Sequence, residues 1–164
     1  MRHIISNLLA IVSRGGNYLI GIGPDARGGM STWIQRGLEQ LGDFLRINGE
    51  GIYATRPWTK ITSLRAQEGW SLYATQPKDS DSRFFLFGMP PVPAVDEAEE
   101  RSLEERTFAP SGLASTWLEV PGKVRSARIL GSEDRVIVEA REGSSRLVIP
   151  QTDLRYAVGV DLTF

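Results

Sequence analysis

Asn17-Tyr18-Leu19-Ile20-Gly21-Ile22-Gly23-Pro24 and Asn48-Gly49-Glu50-Gly51-Ile52-Tyr53-Ala54-Thr55-Arg56-Pro57-Trp58 stand on either side of one helix-forming stretch. Residues 18–22 are too few for a helix and almost all apolar. Such a run suits a strand covered on both faces, as in a parallel sheet. Between the two segments, Ile34, Leu38, Leu41 and Leu45 step by four, three and four, one face of a helix, with Trp33 and Phe44 widening its apolar surface. Thr32 and Gln35 fit a capping box at its start, and Asn48-Gly49 stops it. Upstream, Ile4, Ile5, Leu8, Leu9, Ile11 and Val12 give a shorter amphipathic helix that Arg14-Gly15-Gly16 ends. The expectation for residues 1–48 is helix, strand, helix, an α/β rhythm.

Downstream of Trp58 the texture changes to short apolar runs separated by turn residues. Candidate strands lie at 60–66, 70–76, 83–88, 115–120, 124–130, 135–140, 146–149 and 156–164. In the last, Tyr156, Val158, Val160, Leu162 and Phe164 alternate with Ala157, Gly159, Asp161 and Thr163, the period of a strand with one face on a core and one toward solvent. Glu142-Gly143-Ser144-Ser145 reads as a hairpin turn. Closely spaced hairpins of this kind imply an antiparallel sandwich or barrel. Residues 90–114 interrupt the pattern. Pro90-Pro91-Val92-Pro93 does not fit a central strand, and six carboxylates against two arginines follow it, the composition of a solvated acidic excursion.

The composition excludes several chemistries. The chain has 164 residues, 41% hydrophobic and 24% charged, and a net charge of −1, so no global field draws it to nucleic acid or anionic membrane. There is no cysteine, which removes disulfides, thiolate metal sites and cysteine nucleophiles. The single histidine, His3, lies beside the first helical stripe and reads as a surface residue. No run approaches the ~20 apolar residues of a membrane span. Ile4 to Val12 is broken by Ser6 and Asn7, unlike a secretory signal, so the compartment stays unassigned. No metal site and no cofactor are expected.

The joint carries a long and specific resemblance. Residues 11–24, Gly42-Asp43-Phe44-Leu45 and residues 48–58 resemble the end of the catalytic barrel and the following linker in the α-L-fucosidase family of glycoside hydrolases. Ile129-Leu130-Gly131 and Leu147-Val148-Ile149-Pro150 are similar to closing strands of that family's C-terminal sandwich. The resemblance implies an α+β chain: a helix-strand-helix remnant of a (β/α)8 barrel with its linker over residues 1–58, then an antiparallel β-sandwich over 59–164. It departs from the family pattern at Gly21 (Asn in the family), Arg27 (Asp), Phe44 (Trp), Gly51 (Ala) and Ala54 (Gly). A whole barrel takes about 250 residues, and the family's nucleophile and acid/base carboxylates lie on earlier strands. The resemblance therefore implies hydrolysis of α-L-fucosyl linkages by a parent enzyme, with fucosylated glycans as its partners, and a truncated chain without catalysis of its own. Self-association through the orphaned barrel elements is a further expectation.

Retaining glycoside hydrolysis needs two carboxyl groups about 5–5.5 Å apart. Asp25, at the C-terminal end of the barrel-type strand, is the catalytic candidate, set against a turn aspartate that accepts backbone hydrogen bonds. Glu50 lies beyond the intervening helix, about 24 Å away at 1.5 Å per residue, so the two form no dyad. Glu50 reads instead as an anchor tying linker to sandwich, through an arginine such as Arg56. Tyr53, Trp58 and Trp70, with Tyr73, are candidates for a sugar-stacking platform, set against aromatics that fill an interface between layers. A β-sandwich module that binds carbohydrate or another subunit is the alternative function.

Overall fold

The computed structural model describes residues 1–59, 64–91, 115–152 and 156–164. Helix α1 spans Arg2–Val12 and helix α2 spans Thr32–Asn48, followed by a 3-10 turn at Gly49–Gly51. Among the described residues nine strands follow: β1 Thr55–Pro57, β2 Arg65–Ala66, β3 Ser71–Pro77, β4 Arg83–Met89, β5 Thr116–Pro121, β6 Ser126–Ile129, β7 Ile137–Arg141, β8 Ser144–Ile149 and β9 Val158–Thr163. They form two antiparallel sheets, ordered β1-β3-β4-β9-β6 and β2-β5-β8-β7. The α+β architecture with an antiparallel sandwich is the one expected.

The sheets face each other across a core that includes Trp58, Phe84, Leu86, Leu118, Leu147, Val158, Val160 and Leu162. A second apolar layer lies on the other face of the larger sheet, where Phe85, Phe87 and Met89 meet Ile5, Leu9, Leu41, Phe44 and Ile52. Strand β4 is therefore covered on both sides. Its alternate residues, Phe84 and Leu86 against Phe85 and Phe87, serve two different cores. Each fully buried Phe contributes about 1.5–3 kcal/mol. Strand β9 shows the expected alternation, but the side expected to face solvent is covered at Ala157 and Gly159, where the helical layer sits.

Three expectations change. Residues 18–22 form no strand, because among the described residues no neighbouring strand takes up their backbone hydrogen bonds. Ile20 packs inward while Leu19 is 92% exposed. The cap of α2 is Ser31, whose hydroxyl accepts from the Ile34 N–H at 3.4 Å, one residue ahead of Thr32; the Gln35 side chain donates to the Met30 carbonyl instead. Strand β1 extends the larger sheet from within the segment read as linker. The candidate strand at 60–66 is described only from residue 64, and the acidic stretch lies outside the described residues from residue 92 to 114.

Candidate functional site

The segment Asn48-Gly49-Glu50-Gly51 joins α2 to the larger sheet, and Asn48, Glu50 and Gly51 each meet that sheet by a different contact. Asn48 is buried; its Nδ2 donates to the Phe44 carbonyl at 3.1 Å, and its Oδ1 lies only 2.3 Å from where a β-carbon on Gly159 would be. A side chain on β9 at that position would push α2 away. Gly49 lies under the Tyr53 ring. A β-carbon at Gly51 would lie 2.6 Å from Phe87 and 2.9 Å from Phe85, and its carbonyl accepts the Thr75 hydroxyl at 2.6 Å.

Glu50 carries the charge at this joint. It accepts from Arg83 through one oxygen and from Arg128 through the other, the latter at 2.8 Å. Both arginines also hold Asp161. Arg83 does so in a fork, Nε to Oδ1 at 2.8 Å and Nη2 to Oδ2 at 2.9 Å, and Arg128 from Nη2 at 2.7 Å. Arg128 and Asp161 are directly opposed on β6 and β9, and Arg83 comes from β4, its guanidinium 4.9 Å from the Phe85 ring centre. Two guanidinium groups and two carboxylates thus close one neutral network between the 3-10 turn and three strands.

The network fixes protonation. Hydrogen bonds from Arg128, then Arg83, hold the Glu50 carboxyl below its ordinary range. Burial pushes Asp161 up, but the hydrogen bonds from Arg83 and Arg128 outweigh it and leave the group lowered. Arg83 is raised, chiefly by its bond to Asp161, and Arg128, chiefly by its bond to Glu50. Both acids are held ionised, so neither is poised to give up a proton.

The residues singled out from sequence fall elsewhere. Asp25 is exposed and closes its own loop: Oδ1 accepts from the N–H groups of Arg27 and Gly29, each at 2.8 Å. That is the turn role. Trp58 is 3% exposed and stacks on Phe84 at 4.4 Å between ring centres, so it offers no face to a sugar. Trp70 is half-buried against the sandwich core and over Gly88. Tyr53 is exposed, and Tyr73 packs into the helical layer with its hydroxyl 3.0 Å from Ser6. Trp58, Trp70 and Tyr73 thus pack into the layers, whereas Tyr53 faces solvent. Arg56 pairs with Asp81, and Arg83 and Arg128 hold Glu50 in its place. Those two arginines and Asp161 were not singled out from sequence, since none carries a local pattern. Asp161 occupied a position read as facing solvent.

Among the described residues, no three His, Cys, Asp or Glu groups converge as metal ligands. A cleft of about 210 Å³ opens between α1 and the ends of β3 and β4, lined by Arg2, His3, Ser6, Ser71 and Pro91 among others, with no carboxylate among the described residues of its wall. No described helix is long and apolar enough to cross a membrane.

The chain is similar to α-L-fucosidases. The α-L-fucosidase family model matches residues 1–50. Tissue α-L-fucosidase of Macaca fascicularis is 53% identical over 55 residues, 34% of this chain and 12% of that protein. Plasma α-L-fucosidase of Homo sapiens is 34% identical over 79 residues, 48% of this chain and 16% of that protein. The crystal structure of Thermotoga maritima α-fucosidase superposes with a TM-score of 0.71 at 18% identity, covering 99% of this chain and 34% of that one. The fold likeness thus extends through the sandwich. The chain spans a sixth or less of these curated relatives.

Proposed function

We infer the function from the family that the joint identifies: over residues 1–50 the chain carries α-L-fucosidase sequence, and it is an α-L-fucosidase-like fragment. Our reading divides it into terminal barrel elements and linker over 1–58 and a C-terminal sandwich over 59–164. Its role is to hold those elements on the sandwich within a parent α-L-fucosidase, whose fucosylated glycans it meets only through that parent. By itself it hydrolyses no fucoside.

One observation carries this reading. The carboxylates gathered at the joint, Glu50 and Asp161, are both clamped by Arg83 and Arg128 and held ionised. A glycosidase acid must hold a proton near neutral pH, which calls for a raised pKa. The test is incubation of the purified chain with an aryl α-L-fucoside, with no product expected. Turnover that Asp25→Ala abolishes would overturn the reading.

Self-association through the barrel-derived elements, a reading separate from a β-sandwich module that binds carbohydrate or another subunit, rests on a different observation. Leu19, Ile22, Met30 and Trp33 are exposed on and before α2, so self-association here would run through side chains rather than a strand edge. Concentration-dependent association that Leu19→Ser with Trp33→Ser removes would support it. A glycan array without hits would remove the carbohydrate version.

A further inference from the structure

We propose that strand β7 is a dimerisation edge, where a second copy of this chain adds antiparallel with Ala140 opposite its own counterpart. Among the described residues β7 ends the smaller sheet, paired on one side with β8, while Arg135 just ahead of it bridges Arg128 of β6. All five of its residues are exposed, and Ile137 is 61% exposed. Natural edges are blocked by lysine, proline, bulges or shortness. β1 carries Pro57, β2 has two residues and β6 four, whereas β7 has five in unbroken register with no lysine or proline.

The register follows from the hairpin. Glu142-Gly143 is a two-residue turn, so Arg141 and Ser144 exchange hydrogen bonds. By alternation Glu139 and Ile137 also bond inward to β8. The N–H and C=O groups of Val138 and Ala140 are the ones aimed outward. A symmetric partner strand can centre on any of the five residues of this edge. Centring on Arg141 opposes two arginines, and centring on Ile137 needs Arg135, which already bridges Arg128 of β6. Centring on Val138 sets Arg141 against Arg135 of the other copy. Centring on Glu139 sets two carboxylates face to face. Centring on Ala140 sets Glu139 against Arg141 twice, in the non-hydrogen-bonded positions where side chains approach closest. Glu139 and Arg141 already share the outer surface of the sheet, 3.4 Å apart in one copy. Of the registers that leave the Arg135–Arg128 bridge in place, this one alone is self-complementary in charge, and that complementarity points to a second copy as the occupant.

The experiment is sedimentation of the full chain over a concentration series, with Glu139→Arg and Arg141→Glu made separately. The intact chain is expected to dimerise. Each single variant should dimerise about tenfold more weakly or worse. An equimolar mixture of the two should recover dimers, because one copy's arginines then face the other's glutamates. Losing the in-chain pair cannot produce that recovery. Amides of Val138 and Ala140 should gain exchange protection as concentration rises. A monomer up to ~1 mM, mixing that restores nothing, or protection that appears at residues 18–22 instead would each overturn the proposal.

Discussion

Glu50 and Asp161 share the same two guanidinium groups, Arg83 and Arg128, although one acid belongs to the turn after α2 and the other to β9. The sharing is unequal. Asp161 has a side chain 12% exposed, while that of Glu50 is 45% exposed. Asp161→Asn should therefore destabilise by about 2 kcal/mol, because it leaves two half-desolvated arginines underpaired. Glu50→Gln should cost under about 1 kcal/mol, since solvent screens the exposed pair. Urea unfolding of the two variants checks the order, and equal losses would show that burial does not set it.

Acid should unfold the protein through the same groups. Both carboxyls are lowered on folding, so their stabilisation is complete above the unfolded range of about 4 and is lost as pH falls through the lowered folded values. The double variant Glu50→Gln with Asp161→Asn should show a shallower decline of stability below about pH 4. Urea midpoints measured between neutral and acid pH test this, and parallel curves would contradict it.

Two departures at the linker should respond in opposite directions. Ala54 sits at φ +54°, a left-handed conformation that costs a β-carbon about 1 kcal/mol. Ala54→Gly relieves that strain but loosens the unfolded chain, for a net gain of up to about 1 kcal/mol. Gly51→Ala drives a methyl into Phe85 and Phe87 and should cost about 2 kcal/mol. Thermal midpoints of the two variants should move apart around that of the parent.

Asp25→Ala should act locally. It removes the acceptor for the Arg27 and Gly29 N–H groups in an exposed loop, so global stability should fall by no more than about 1 kcal/mol. Hydrogen exchange should speed up at those two amides and leave β4 and β9 unchanged.

The sequence by itself determined what depends on near neighbours. Both helices follow from apolar spacing, because helical hydrogen bonds close within four residues. Alternation in β9 gave its inner face, and residues 11–24 and 48–58 carried the resemblance to α-L-fucosidases. The tertiary structure alone decided where partners lie far along the chain. Residues 18–22 have strand composition but, among the described residues, no strand beside them, and a strand exists only through its neighbours' hydrogen bonds. Which arginines hold Glu50 was hidden for the same reason. Arg83 and Arg128 reach Asp161 across β4, β6 and β9, and the register of those strands is set by two buried cores rather than by any local run of residues.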